Sequence, residues 1–100
     1  MKFRCEREEL SEALGLAQRA TSPRPSNPIL GNLRLHLVGN QLTVTGGDLS
    51  ITITSVITVG GETDGVAVLP AKLINDIVRS FESGAVEIDT DFEDGRARIS

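Results

Sequence analysis

Two stretches of helical periodicity interrupt a chain that is otherwise patterned in twos, and this interleaving limits the fold more than any single motif. Between Ala71 and Phe81 the apolar residues Leu73, Ile74, Ile77, Val78 and Phe81 recur at helical spacing, leaving Lys72, Asn75, Asp76 and Arg79 on the opposite face. From about Arg7 to Ala20 a second stripe holds Leu10, Ala13, Leu14, Ala17 and Ala20, opposite Glu8, Ser11, Glu12, Gly15 and Arg19. Everything between alternates. Phe3 and Cys5 oppose Lys2, Arg4 and Glu6, and Leu33, Leu35 and Leu37 oppose Arg34 and His36, as half-buried strands do. Gly39-Asn40 reads as a hairpin turn leading into Leu42 and Val44.

Further strand patterns cover Leu49 to Val59, Val66 to Leu69, Val86 to Phe92 and Arg96 to Ser100. Gly46-Gly47-Asp48 is expected to reverse the chain, Ser55 to mark a bulge or bend, and Gly60 to Gly65 to form a polar loop. Written as elements, the order is strand, helix, strand, strand, strand, and then strand, helix, strand, strand. This half-repeat predicts a closing strand beyond Ser100. It also predicts an α+β domain in which two helices lie side by side on one face of a curved antiparallel sheet.

Composition narrows the function. One hundred residues suit one small domain, and a chain with three Phe, no Trp and no Tyr must build its core from Leu, Ile and Val. Nucleic-acid readers that stack bases on aromatic rings have little counterpart here. The net charge of −4 argues against bulk electrostatic clamping of nucleic acid and leaves room only for a local basic patch. Cys5 is the single cysteine, which excludes an internal disulfide and suits a reducing compartment. His36 has no Cys, Asp or Glu at ligand spacing and reads as a solvent-face residue, so neither metal nor cofactor is expected. With no signal peptide before the first strand and no long apolar run, the expected location is the cytoplasm, away from membranes.

The stretch Thr21-Ser22-Pro23-Arg24-Pro25-Ser26-Asn27-Pro28 holds an arginine between two prolines. Each proline fixes its own φ and biases the residue before it toward extended conformations, so Arg24 is carried on a stiff loop. A guanidinium there suits phosphate, while a polar connector remains the simpler structural reading. Lys72 and Arg79, seven residues apart on the second helix, stand about 10 Å apart along its axis. They could follow a phosphate backbone, or simply solvate a helix face. Arg96 and Arg98 are assigned elsewhere: a two-residue Asp94-Gly95 turn would set Glu93 opposite Arg96 and Asp91 opposite Arg98 as cross-strand charge pairs.

Taken together, Met1-Lys2-Phe3 with Glu6-Arg7-Glu8, the run Arg24-Pro25 to Pro28-Ile29-Leu30-Gly31-Asn32, Thr45-Gly46-Gly47-Asp48-Leu49, and Pro70-Ala71-Lys72 with Asp76-Ile77-Val78-Arg79 closely resemble the N-terminal domain of the bacterial DNA polymerase III β subunit family of sliding clamps. The resemblance spans residues 1–100 with the motifs in order. It implies a DNA-clamp fold and a homodimeric ring of three such domains per protomer around double-stranded DNA. This chain would then be the first domain, short of its last strand. The resemblance further implies a processivity factor rather than an enzyme, with the replicative polymerase and clamp loader as partners, mainly through parts outside these residues. By position, Arg24 and Lys72 match the family's DNA contacts, followed by Arg79, with Arg7 and Arg19 behind them. Glu8 and Glu12 depart from that pattern by placing carboxylates on the first helix's exposed face. The rival reading is a small β-rich interaction module whose Arg24 loop docks an acidic partner.

Overall fold

The computed structural model describes residues 1–20, 31–47, 51–91 and 96–100. The described strands and helices follow the order β1 (Lys2–Glu6), α1 (Arg7–Gln18), β2 (Asn32–Val38), β3 (Gln41–Gly47), β4 (Thr52–Thr58), β5 (Gly60–Thr63), β6 (Gly65–Pro70), α2 (Ala71–Ser80), β7 (Ala85–Asp91) and β8 (Arg96–Ile99). The expected curved sheet resolves into two antiparallel four-stranded sheets, ordered β5-β1-β7-β8 and β4-β3-β2-β6. One core joins them to the helices. Phe3, Leu10, Leu14, Leu33, Leu35, Leu37, Leu42, Val44, Val78 and Ile88 are all fully buried within it.

The passage between the sheets occurs where sequence reading expected a loop. Gly60 to Thr63 is a strand paired with β1, so Gly60-Gly61 continues the chain from one sheet to the other after a break at Val59. The Val59 amide donates to the Asn40 carbonyl at 2.8 Å, which anchors that break on the β2–β3 hairpin. Glycine is required at 61 because a Cβ there would run into the Gly39 carbonyl. The bulge expected near Ser55 is absent: β4 pairs with β3 in unbroken register from Thr52 opposite Gly47 to Thr58 opposite Gln41. Ser55 takes an inward place beside Ile57 along a groove of about 460 Å³ between α1 and β4, and Val56 faces outward. Gly46 and Gly47, expected to reverse the chain, lie within β3 instead, opposite Ile53 and Thr52.

Two other expectations shift. In the β7–β8 pair, Asp91 lies opposite Arg96 and Asp89 opposite Arg98, two residues away from the register of a two-residue turn. Asp94 and Gly95 themselves lie outside the described residues. On α2, Asn75 is not on the wet face: it is 1% exposed and its amide nitrogen donates to Gln18 Oε1 on α1. Leu73, placed on the apolar face by periodicity, is 57% exposed. Cys5 is the small core residue expected, and burial, with Glu9 and Glu6 nearby, pushes its thiol up to about 11.

Candidate nucleic-acid interface

The helices form an antiparallel pair, as the side chains that bridge them show. At one end, Arg7 at the start of α1 donates through Nη2 to the Arg79 carbonyl near the end of α2, at 2.8 Å. Farther along, Gln18 at the end of α1 meets Asn75. The last turn of α2 is thereby closed by three donors: Ser80 Oγ to the Ile77 carbonyl at 2.6 Å, the Phe81 amide to Val78 at 3.3 Å, and the Arg7 guanidinium to Arg79. Sequence reading ranked Arg7 only as a weak DNA contact; its local pattern carries no sign that its partner lies 72 residues away. Gly15 faces α2 with room to spare: the nearest atoms to where a Cβ would sit are Arg79 Nη2 at 3.7 Å and Asn75 Nδ2 at 4.0 Å, ordinary contact distances.

Between the helices runs an open groove of about 440 Å³ whose lining includes Arg7, Arg19 and Arg79 together with Glu8 and Glu12. Lys72 stands exposed in the first turn of α2, on the same wet face as Asp76 and Arg79. The antiparallel arrangement puts Arg79 toward the α1 N-terminus and Lys72 toward its C-terminus, so cations occupy both ends of the pair. Among the described residues, Lys72, Arg79 and Arg19 make no ion pair. Arg24 lies outside the described residues, together with the rest of 21–30. Of the three expected contact residues, the structure therefore places Lys72 and Arg79 on one helix face.

The two carboxylates that break the basic pattern differ. Glu8 is engaged within the protein: the Ser83 hydroxyl donates to its Oε1 at 2.6 Å, and Arg7 Nη1 lies 3.7 Å from the same atom. The Ser83 hydrogen bond first, and then the Glu8 backbone amide, hold its carboxyl below the usual range. Its place in the first turn of α1 also suits the positive end of the helix dipole. Glu12 has no ion-pair partner among the described residues and leaves one free carboxylate in the groove. Because its native pKa is depressed, ionised Glu8 favours the fold above its ordinary pKa, and that contribution is lost as pH falls through the lowered value. Ser83→Ala is expected to move the Glu8 titration upward, toward the ordinary carboxylate range, as read from its side-chain carboxyl chemical shift against pH.

Four cations, Arg7, Arg19, Lys72 and Arg79, thus share this face with Glu8, Glu12 and Asp76, in a chain of net charge −4. The acidic surplus lies elsewhere. On the face of the first sheet turned away from the helices, Lys2 is held by Glu62 at 3.3 Å and Glu87 at 3.7 Å. Those carboxylates raise the Lys2 pKa. Among the described residues, no group of three His, Cys, Asp or Glu side chains could hold a metal ion, and no helix is long and apolar enough to cross a membrane.

Comparison with known proteins gives consistent findings. The family described as "DNA polymerase III beta subunit, N-terminal domain" matches residues 1–100. A beta sliding clamp of Synechocystis sp. is 39% identical over 104 residues, covering 100% of this chain and 27% of that protein. One from Proteus mirabilis is 36% identical over 107 residues, covering 100% of this chain and 29% of that protein. The crystal structure of the DNA polymerase sliding clamp from Caulobacter crescentus superposes with a TM-score of 0.93 at 31% identity, covering 100% of this chain and 27% of that one. The chain therefore spans little more than a quarter of the length of these relatives.

Proposed function

The chain belongs to the DNA polymerase III beta subunit family, and from that premise we propose that residues 1–100 are the first domain of a sliding clamp, a homodimeric ring that encircles duplex DNA and tethers the replicative polymerase in the cytoplasm. In this reading the α1–α2 face lines the hole, and Arg24, Lys72 and Arg79 touch phosphates. The domain performs no chemistry of its own; the clamp loader and polymerase engage the ring mainly through other domains.

The observation that carries the reading is the disposition of charge. Lys72 and Arg79 stand without ion-pair partners among the described residues on one helix face, while Glu62 and Glu87 are gathered around Lys2 on the opposite side of the molecule. A closed ring leaves DNA only by opening or by running off an end, so its contacts need not be tight. A few charge–phosphate contacts, blind to sequence, position the duplex and let it slide. The free Glu12 carboxylate keeps the lining from binding too strongly.

The experiment is retention on nicked circular DNA, using a clamp of the relatives' full length that carries this domain. Arg24→Glu with Lys72→Glu is expected to shorten retention increasingly as salt rises, with the ring still dimeric by sedimentation. Unchanged retention across the salt series would remove these residues from the DNA path.

A further inference from the structure

The second sheet turns its outer face away from the helix pair, and its charge pattern differs from that of the first sheet. Strand register lays out the face row by row. Val68, Arg34, Thr45 and Thr54 lie side by side across β6, β2, β3 and β4, and the next row runs Val66, His36, Thr43 and Val56. Val38, Val56 and Val68 are each more than half exposed, at 56, 53 and 55%. No outward position in these rows carries Asp or Glu, although the chain has 14 acidic residues. Asp64, beyond the end of β6, accepts from the Gly39 amide at 2.8 Å. Arg34 is exposed and makes no ion pair or side-chain hydrogen bond among the described residues. The outer face of the first sheet, in contrast, carries carboxylates among its cations, with Glu62 and Glu87 gathered on Lys2.

We infer that this outer face is a docking surface for an acidic, amphipathic protein segment, which sets a carboxylate on Arg34 and apolar side chains on the exposed valines. An unmatched guanidinium is the group best suited to a bidentate carboxylate. Exposed valines around it supply the apolar contact that a protein ligand uses, and the threonine hydroxyls can satisfy polar groups at the rim. Duplex DNA fits less well: it presents a charge every ~1.7 Å along its axis, and this face offers one permanent cation flanked by Val68 and Thr45. Because the helix pair lies on the other side of the sheet, a partner here leaves the proposed DNA face open.

The test titrates isotopically labelled protein with a synthetic amphipathic peptide of Glu and Leu, following amide shifts and fluorescence anisotropy. Expected are shifts at Thr43, Thr45, Thr54, Val56 and Val68, and an affinity weakened about tenfold or more in Arg34→Glu and in Val56→Ser. Arg4→Glu, on the outer face of the first sheet, is expected to leave the affinity unchanged. The inference is overturned if the peptide does not bind, if it shifts the helices or the first sheet instead, or if the Glu-to-Gln version of the peptide binds equally well. It is equally overturned if Arg34→Glu has no effect, or if a short DNA duplex rather than the peptide shifts these strands.

Discussion

Gly46→Ala is expected to destabilise the domain by about 3 kcal/mol, at the top of the usual overpacking range, lowering the midpoint of thermal unfolding by roughly 12–24 °C for a domain of this size. The inward-facing Gly46 sits on β3 directly beneath the end of α1. A Cβ there would overlap the Ala17 carbonyl and come within 2.8 Å of Leu33 Cδ2. The Ala17 carbonyl is not free to swing aside, since it accepts from the Ala20 amide at 3.2 Å. Relief therefore requires the whole end of α1 to lift from the sheet. The same substitution at Gly15 serves as the control. There the nearest atom to the new methyl is the mobile end of Arg79 at 3.7 Å, so the gain in helix propensity of roughly 0.5–1 kcal/mol should prevail. Opposite signs for the two variants in calorimetry or circular-dichroism melts would establish that α1 rests on the sheet at Gly46; a small loss at Gly46 would show that it does not.

Replacing Lys72 and Arg79 together by Ala, in a clamp of the relatives' full length that carries this domain, is expected to flatten the dependence of log affinity for DNA on log salt by about 2, close to 0.9 for each phosphate no longer neutralised. The two residues are about 10 Å apart along α2, far enough to meet different phosphates, so their effects should be nearly additive. Because phosphates are alike in every sequence, the change should be the same for unrelated duplexes. Fold stability should hardly move, since both side chains are exposed and neither makes an ion pair among the described residues. Asp76, between them on the same face, tempers the attraction. Removing its charge with Asp76→Asn would therefore shift affinity in the opposite direction.

The parts of the structure written in local periodicity were legible in the sequence. The stripe of α1, that of α2 apart from the exposed Leu73, the alternation of β1 and β2, and the helix-face positions of Lys72 and Arg79 all follow from spacing alone. What escaped depended on distant partners. Gly60-Gly61 has the composition of a loop, yet it forms a strand because β1 offers it an edge and because Gly61 must pass close to the Gly39 carbonyl. Asn75 looks like a surface residue until Gln18, from the other helix, covers it. Arg7 resembles one more cation on a wet face, but its guanidinium is a strut across the pair, bound to the Arg79 carbonyl and lying beside Glu8. That use of Arg7, with Ser83 holding Glu8, also accounts for an acidic residue that local sequence set against any role for α1 near phosphate.

The central claim, that duplex DNA meets this domain at the helix pair, is tested most directly by mapping amide shifts of isotopically labelled protein titrated with a short duplex at low salt. The predicted result is a set of shifts that fades as salt is added and is centred on Lys72, Asp76 and Arg79, with Gly15 and Arg19 across the groove. Shifts confined to the outward residues of either sheet, with the helix pair silent, would contradict it.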